Sequence, residues 1–171
     1  MIFVTVGTEK FPFNRLIKAV DLAVGKGRIR DKVFIQMGNS SYVPQFVEYR
    51  DFLEFEEMVG MIRRADVVVS HAGIGSFLLC LHLGKVPILF PRRAHLGEHL
   101  DDHQMDFVKG VEKLGRALVA YDEKELLQEI ERYPRLVTRL KIRVPSQVEK
   151  LAVYLERRFQ HNRHKIWCVT S

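Results

Sequence analysis

The chain has 171 residues, of which 47% are hydrophobic and 28% charged, and its net charge is +6. This length and composition predict one soluble globular domain with a substantial core, and they exclude a disordered or fibrous protein. No apolar run approaches the roughly 20 residues of a membrane span, and the start "MIFVTVGTEK" lacks the features of a secretory signal. We therefore expect a cytoplasmic protein with two free thiols, Cys80 and Cys168, whose spacing fits no zinc motif.

The first half of the chain alternates predicted strands with predicted helices. "IFVTVG" is an apolar strand ending at Gly7, and "FNRLIKAVDLAV" has helical spacing with Asn14 as its N-cap. "KVFIQMG" is a second strand and "VEYRDFLEF" a third. "EEMVGMIRRA" follows as a helix with acidic residues in its first turn, where the helix dipole favours them.

The second half continues the alternation. "DVVVSH" is a fourth strand, "GSFLLCLHLG" a helix ended by Gly84, and "VPILFP" a fifth strand. "HQMDFVKGVEKLG" is a helix, "RALVAY" a sixth strand and "EKELLQEIERY" a helix. The last helix, "PSQVEKLAVYLERRFQHNR", begins at Pro145 and Ser146.

This order of elements predicts the fold class. Alternating strands and helices form right-handed crossovers, so we expect an α/β protein with a doubly wound, mostly parallel sheet. We expect a single domain over residues 1–171, with a basic helical segment from about residue 132. In such sheets ligands bind beyond the carboxyl ends of the strands, so the residues there are the candidates for a site.

The C-terminal segment is strongly basic. From Arg132 to Lys165 ten Lys or Arg residues stand against two Glu, a local charge of +8 that leaves about −2 for the rest. Such a segment binds nucleic acid, an anionic membrane or an acidic partner, or is a solvated surface. Beyond Tyr133 it holds only Tyr154 and Phe159, and therefore lacks the interleaved aromatic residues of single-strand binders. We expect no nucleic acid partner.

Two predicted strands end in glycine-containing turns. Gly7 and Thr8 follow the first strand, and "HAGIGS" follows the fourth, ending at Ser76 where a helix begins. Glycines let backbone N–H groups approach an anion, and a helix N-terminus attracts phosphate. The turn is neither a GxGxxG fingerprint, since Leu78 replaces the last glycine, nor a Walker A loop. A tight turn without a ligand remains the alternative.

The loop "PRRAHLGEHLDDHQ" follows the fifth strand and is rich in ionisable side chains. A loop of this length between strand and helix is usually functional. His95, His99 and His103 stand four residues apart, but Gly97 interrupts any continuous helix that would align them. We therefore expect no metal site and no metal cofactor.

The motif "SHAGIGS…LGKVPILFP…HQ" resembles the C-terminal, donor-binding domain of glycosyltransferase family 28. The start "IFVTVGTEKFPFNRLIKAV" is similar to the small single-domain members of the group, and "PRR…LGEH…DHQ" to exopolysaccharide-type subunits. The resemblance covers about residues 1–130. It implies the Rossmann-like C-terminal half of a GT-B glycosyltransferase, which binds a UDP-sugar.

The resemblance also implies which residues bind the donor. The diphosphate would meet the turn after the fourth strand and the facing Gly7 and Thr8. The uracil would lie near the backbone of Phe55 and Met58, and the donor sugar would contact His103 and Gln104. The residues of the turn after the fourth strand that would meet the diphosphate are Gly73, Ile74, Gly75 and Ser76.

One position departs from the family pattern. Many members place a Glu that holds the ribose three residues after the position of Ser76, and here Leu79 stands there. Glu98 is our candidate replacement, with a solvated loop acid as the alternative. The exopolysaccharide-type relatives also lack that Glu.

Three further residues have two interpretations each. His71 either contacts the donor or only ends its strand through its backbone. Arg92 and Arg93 either face solvent or neutralise the charge of UDP or of a polyprenyl-diphosphate acceptor.

The implied activity is transfer of a hexosyl group to a lipid-linked acceptor with inversion. The catalytic base stays unassigned, with His99, His103 and Glu98 as candidates. A two-domain enzyme needs a second half, so we expect a membrane-anchored acceptor-binding partner that holds this chain at the inner face of the membrane. A non-catalytic nucleotide-sugar-binding or regulatory module is the alternative function.

Overall fold

The structure, a computed structural model, describes residues 1–113 and 115–138. The helix predicted from Ser146, most of the basic segment and Cys168 lie outside the described residues. Among the helices that are described, none combines the length and the apolar character needed to cross a bilayer.

The six strands of the described residues belong to one sheet, and every pair of neighbours is parallel. This confirms the predicted fold class. The strands are β1 (Ile2–Thr5), β2 (Val33–Gln36), β3 (Glu48–Arg50), β4 (Val67–His71), β5 (Ile88–Phe90) and β6 (Leu118–Val119).

The strands lie in the order β3-β2-β1-β4-β5-β6. β1 is central because its side chains are apolar towards both faces, where Phe3 and Val4 are fully buried. β3 is at an edge, and all three of its residues are exposed.

In the part of the chain that the structure describes, five α-helices cover the two faces of the sheet. They are α1 (Asn14–Gly25), α2 (Phe55–Arg64), α3 (Ile74–His82), α4 (His103–Lys113) and α5 (Glu123–Val137). Apolar side chains of α1 and α5 join one core cluster with Val4 and Ile35. Those of α2 and α3 pack with Phe3 and Val68 on the opposite face.

Several sequence predictions about the helices are confirmed. α3 ends before Gly84, whose N–H donates to the Leu81 carbonyl at 3.0 Å. Glu56 and Glu57 lie in the first turn of α2. Cys80 is a free thiol, and its complete burial raises its pKa to about 12, so it is inert.

Three boundaries differ from the sequence predictions. β3 ends at Arg50 and Phe55 begins α2, whose first turn is closed by the Glu57 carboxylate, which accepts the Glu54 N–H at 3.1 Å. α5 continues through Pro134 to Val137 rather than ending at Tyr133. β6 has only two residues.

The predicted N-cap role of Asn14 is wrong. Asn14 is already the first residue of α1, and its side-chain oxygen accepts the N–H groups of Ser41 and Tyr42 at 3.0 and 2.9 Å. Its amide therefore ties the loop after β2 to the start of α1 instead of capping the helix.

A buried carboxylate holds the rest of that loop. Asp21 is fully buried within α1 and accepts the Tyr42 hydroxyl at 2.8 Å. It also accepts the N–H groups of Gln45 and Phe46 at 3.0 and 2.8 Å. This carboxylate satisfies backbone donors of a segment that has no helix or strand of its own, and it positions the chain just before β3.

We expect Asp21→Ala to destabilise the fold by roughly 3 kcal/mol, because it removes hydrogen bonds to a charged acceptor and leaves buried donors unpaired. Urea denaturation measures the change. Lys18→Ala, an exposed substitution on the same helix, is the control and should change stability by less than about 0.5 kcal/mol. Equal stability of the Asp21→Ala and Lys18→Ala variants would contradict this account.

Candidate functional site: a glycine-lined turn pair at the centre of the sheet

The carboxyl ends of β1 and β4 lie side by side at the middle of the sheet. The chain winds from β1 towards β3 on one side and from β4 towards β6 on the other, so this is the topological switch point at which α/β sheets bind ligands. Gly7 follows β1 by two residues and Gly73 follows β4 by two. The two turns selected from the sequence are therefore brought together.

The imidazole ring of His71 fills the space between these turns. A Cβ atom at Gly7 would lie 2.5 Å from Cε1 of His71, and one at Gly73 would lie 2.2 Å from its Nε2. Gly7 also has a positive φ of 76°, which side chains disfavour. A side chain at either position would overlap the His71 ring, so both positions require glycine.

His71 is held as a neutral imidazole. Only 6% of the residue is exposed, and its Nδ1 lacks a hydrogen-bond partner among the described residues. Burial is the main reason why the pKa of His71 falls to about 4, and the positive charge of Arg92 lowers it further. The His71 side chain is therefore an uncharged polar group at this position. His71 ends β4 through its backbone, and its ring also packs between the two turns.

The first turn of α3 borders the same position and is open. Gly73 is the N-cap, and Ile74, Gly75 and Ser76 begin the helix. A Cβ atom at Gly75 would meet no heavy atom within 4 Å. Because the first N–H groups of a helix have no acceptors within it, this exposed turn can donate them to an anion. Thr8, on the facing turn, is exposed as well.

Arg92 is fully buried at the start of the loop after β5. Its guanidinium donates to the carbonyl oxygens of Val6 at 2.7 Å, Phe11 at 2.8 Å and Glu98 at 3.0 Å. Burial lowers the pKa of Arg92 to about 10, so the group stays charged at neutral pH. It does not face solvent. It joins the loop after β5 to the chain that follows β1.

Glu98 is likewise buried and paired. Its carboxylate accepts Nε and Nη2 of Arg15 at 2.8 and 2.9 Å and the Arg93 N–H at 2.9 Å. It is therefore not a solvated loop acid, and its oxygens are occupied by donors of this chain. The Arg93 side chain donates to the Tyr121 carbonyl, away from the glycine turns.

The end of the same loop places Gln104 and His103 differently. Gln104 is buried, and its side-chain oxygen accepts the Arg92 N–H at 3.1 Å, so it supports the loop. The His103 side chain is 54% exposed, and its Nδ1 contacts the Asp101 carboxylate. The His99 ring lies edge-on to that of His103, with 4.5 Å between the centroids.

The remaining candidates line the edge towards β3. Phe55 and Met58 lie in the first turn of α2 and are partly buried. Leu79 packs against the apolar cluster of Phe3 and Met61, so the position at which the resemblance implies a ribose-binding Glu faces a core.

Three supporting residues escaped the sequence analysis. Gln36 is buried and donates its amide to the Gly7 and Asp51 carbonyls, each at 3.0 Å, which links β3 to the turn after β1. Arg15 pairs with Glu98 across 83 positions, and Asp101 contacts His103. No local pattern marks these residues, because their partners are distant in sequence or are set by the path of a loop.

Concave surfaces also occur away from this edge. One of about 810 Å³ lies between β2, β3 and α2 and is lined by residues such as Phe34, Gly60 and Met61. Another, of about 440 Å³, lies at the amino ends of the strands. Neither contains a glycine turn or the start of a helix after a central strand. The glycine turns instead form an open face, which suits one half of a cleft.

The parallel sheet, its strand order and the glycine turns at its switch point are those of a Rossmann-like domain of the GT-B type. The chain belongs to glycosyltransferase family 28, since the model of the family's C-terminal domain matches residues 1–136. The resemblance read from the motif is thereby confirmed.

Individual proteins agree with this assignment. The chain is 30% identical over 128 residues to UDP-N-acetylglucosamine transferase subunit ALG13 of Homo sapiens. That alignment covers 67% of this chain but only 10% of the human protein, so the chain spans a small part of this relative.

Two solved structures show the same fold. The calicheamicin glycosyltransferase CalG4 has a TM-score of 0.56 and 13% identity, over 99% of this chain and 44% of CalG4. Os79 from O. sativa, solved in complex with UDP, has a TM-score of 0.56 and 15% identity, over 90% of this chain and 40% of Os79.

The neutral His71 predicts how stability depends on pH. Its folded pKa of about 4 lies below the ordinary value of 6.5, so the unfolded chain takes up a proton first as the pH falls. We expect this group to reduce the free energy of unfolding by about 3 kcal/mol between pH 7 and pH 4, with no loss above pH 7.

Urea denaturation at several pH values checks this expectation. The His71→Gln variant should lose less stability than the wild type over this range. His95→Gln, which changes an exposed histidine, should follow the wild type. Parallel curves for the wild type and His71→Gln would show that His71 is not held neutral.

Proposed function

We propose that this chain is the donor-binding subunit of an inverting glycosyltransferase. It binds a UDP-sugar and, with a membrane-anchored partner, passes the hexosyl group to a polyprenyl-diphosphate-linked acceptor in exopolysaccharide or capsule synthesis. The observation that carries the proposal is the pair of glycine turns packed against His71, beside the open first turn of α3. The human relative is a UDP-N-acetylglucosamine transferase subunit, which supports this donor class.

The diphosphate binds through backbone N–H groups of Gly73, Ile74, Gly75 and Ser76, with Gly7 and Thr8 opposite. The positive charge behind the site comes from Arg92, whose guanidinium ties down the turn after β1. Fixed donors and a fixed charge stabilise the departing UDP without reorganising at the moment of transfer. Donor binding then needs no metal ion.

The donor sugar lies against the end of the loop after β5, near His103. Among the three candidate bases, Glu98 is occupied by Arg15 and Arg93. His103 directs Nδ1 to Asp101, which leaves Nε2 able to accept a proton from a hydroxyl group. We assign His103 as the base if this chain supplies one, with Asp101 fixing its tautomer.

An apolar rim beside the site supports the proposed partner. Ile74, Leu96 and Leu100 are 54%, 49% and 76% exposed, and each follows the carboxyl end of a strand. Exposed apolar side chains around a binding face are typical of an interface. The chain matches about two fifths of CalG4 and of Os79, and in our proposal the rim faces the partner that completes the enzyme. Through that partner the chain would lie at the cytoplasmic face of the membrane.

We expect UDP to raise the melting temperature in the presence of EDTA. At about 100 times its dissociation constant, UDP should add roughly 2.7 kcal/mol to the free energy of unfolding. Gly75→Val should weaken UDP binding at least tenfold, because a side chain there blocks the approach of phosphate to the helix N-terminus.

Gly60→Val is the matched control, since Gly60 is also a helical glycine with open space around its Cβ position. It should bind UDP like the wild type. A shift that requires added Mn²⁺, or equal binding by Gly75→Val and Gly60→Val, would refute the proposed donor site.

The proposed dependence on a partner predicts a second result. It is measured as sugar transfer from a UDP-sugar to a lipid-diphosphate acceptor. The purified chain should be inactive alone and active after membranes of its native host are added. Leu100→Glu should lower the rescued rate at least tenfold while UDP still raises the melting temperature, because a charge in the rim opposes docking.

Val43→Glu is the control, because Val43 is 61% exposed but lies beside α1, next to the Tyr42 that Asp21 holds. Full transfer by the chain alone would contradict dependence on a partner. UDP binding without any transfer, with or without membranes, would favour a non-catalytic nucleotide-sugar-binding module.

A further inference from the structure

Three potential ligand atoms converge at the end of the loop after β5. They belong to His99, Asp101 and His103, and all lie within 4.8 Å of one another. The sequence argument against a metal site in this loop rested on the spacing of His95, His99 and His103, which Gly97 keeps off one continuous helix. In the structure His95 is not part of the group, and Asp101 takes the third position.

The spacing of these atoms suits a small cation. Nδ1 of His99 lies 3.4 Å from Oδ1 of Asp101. Tetrahedral zinc, with bonds of about 2.0 to 2.1 Å, places its ligand atoms about 3.3 Å apart. Nδ1 of His103 lies closer to the same oxygen, in hydrogen-bond contact. A metal ion would take the place of the proton shared there, and the neutral ring would then carry its one proton on Nε2, so no proton is released overall.

One of the three ligands is held by packing, and the other two are accessible to solvent. The His99 side chain is 12% exposed, and its ring contacts Phe11, with 5.7 Å between centroids. Asp101 and His103 are 63% and 54% exposed, so an ion can enter from solvent. Two imidazoles with one carboxylate favour zinc and similar transition metals over magnesium or calcium.

We propose that His99, Asp101 and His103 form an inhibitory site for zinc or a similar divalent transition metal. Without metal, Nδ1–H of His103 donates to Asp101 and Nε2 carries the lone pair. With a metal ion on Nδ1, the proton of the neutral ring is on Nε2. The ion therefore converts the outward nitrogen of His103 from an acceptor into a donor, and it can no longer take a proton.

The inhibitory consequence rests on the proposed function of His103, whereas metal binding does not. The two are tested separately. The full-length chain, stripped with EDTA and then freed of it, is titrated with ZnCl₂ by calorimetry. We expect Asp101→Asn to weaken zinc binding at least tenfold, and His95→Ala, which removes a histidine of the same loop outside the group, to change it less than twofold.

His99→Gln gives a second test should Asp101→Asn fold poorly, and it should also weaken zinc binding at least tenfold. Absence of wild-type binding at about 100 µM zinc, or equal binding by the wild type and both variants, would overturn the proposal. UDP stabilisation in EDTA should persist in each variant. Loss of UDP binding with zinc binding intact would instead count against the donor site alone.

In the transfer assay with membranes, zinc should inhibit the wild type and His95→Ala at similar concentrations. EDTA should restore the rate. Asp101→Asn should need at least tenfold more zinc for equal inhibition of its residual activity. Inhibition at the same zinc concentration in Asp101→Asn would assign the effect to another site and overturn the regulatory role.

Discussion

A buried guanidinium is the constraint on which the site depends. Arg92 has no exposed surface, and an isolated charge in that position would be strongly unfavourable. It is stable because carbonyl oxygens of Val6, Phe11 and Glu98 accept its hydrogens and because the Phe13 ring lies 4.6 Å away. Those carbonyls belong to two segments that no strand pairing joins. The turn after β1 and the loop after β5 therefore take up one fixed relation.

The pair formed by Arg15 and Glu98 extends this constraint to α1. Glu98 is buried, and breaking one partner of a buried ion pair leaves the other charge uncompensated. The two guanidinium groups and one carboxylate also leave positive charge next to the glycine turns. A site for a diphosphate gains from a fixed positive charge, and here the same charge organises the backbone.

His71, which lies near Arg92, is uncharged. A second cation beside Arg92 would be repelled, and burial disfavours the charged ring, so the imidazole stays neutral. Its ring then serves as packing between Gly7 and Gly73 while keeping a polar edge. The surface that we propose for the diphosphate is consequently made by backbone and by a helix N-terminus, while ionisable side chains lie behind it or at the end of the loop after β5.

The amino-acid sequence by itself determined the fold class and the position of the turns. Alternating apolar strands and helices can bury their apolar residues only as a covered parallel sheet, and parallel strands bring Gly7 and Gly73 to one edge. The local signals also placed α3 and its end at Gly84.

The tertiary structure alone decided what the charged residues do. Arg92, Glu98 and Gln104 read as ligand-binding side chains in the sequence, yet each is occupied by a partner of this chain. Asn14 read as a helix cap, but it binds a loop 27 residues away. The hydrogen-bond partner of each of these side chains is set by the packing of segments distant in sequence. Local periodicity does not specify that packing.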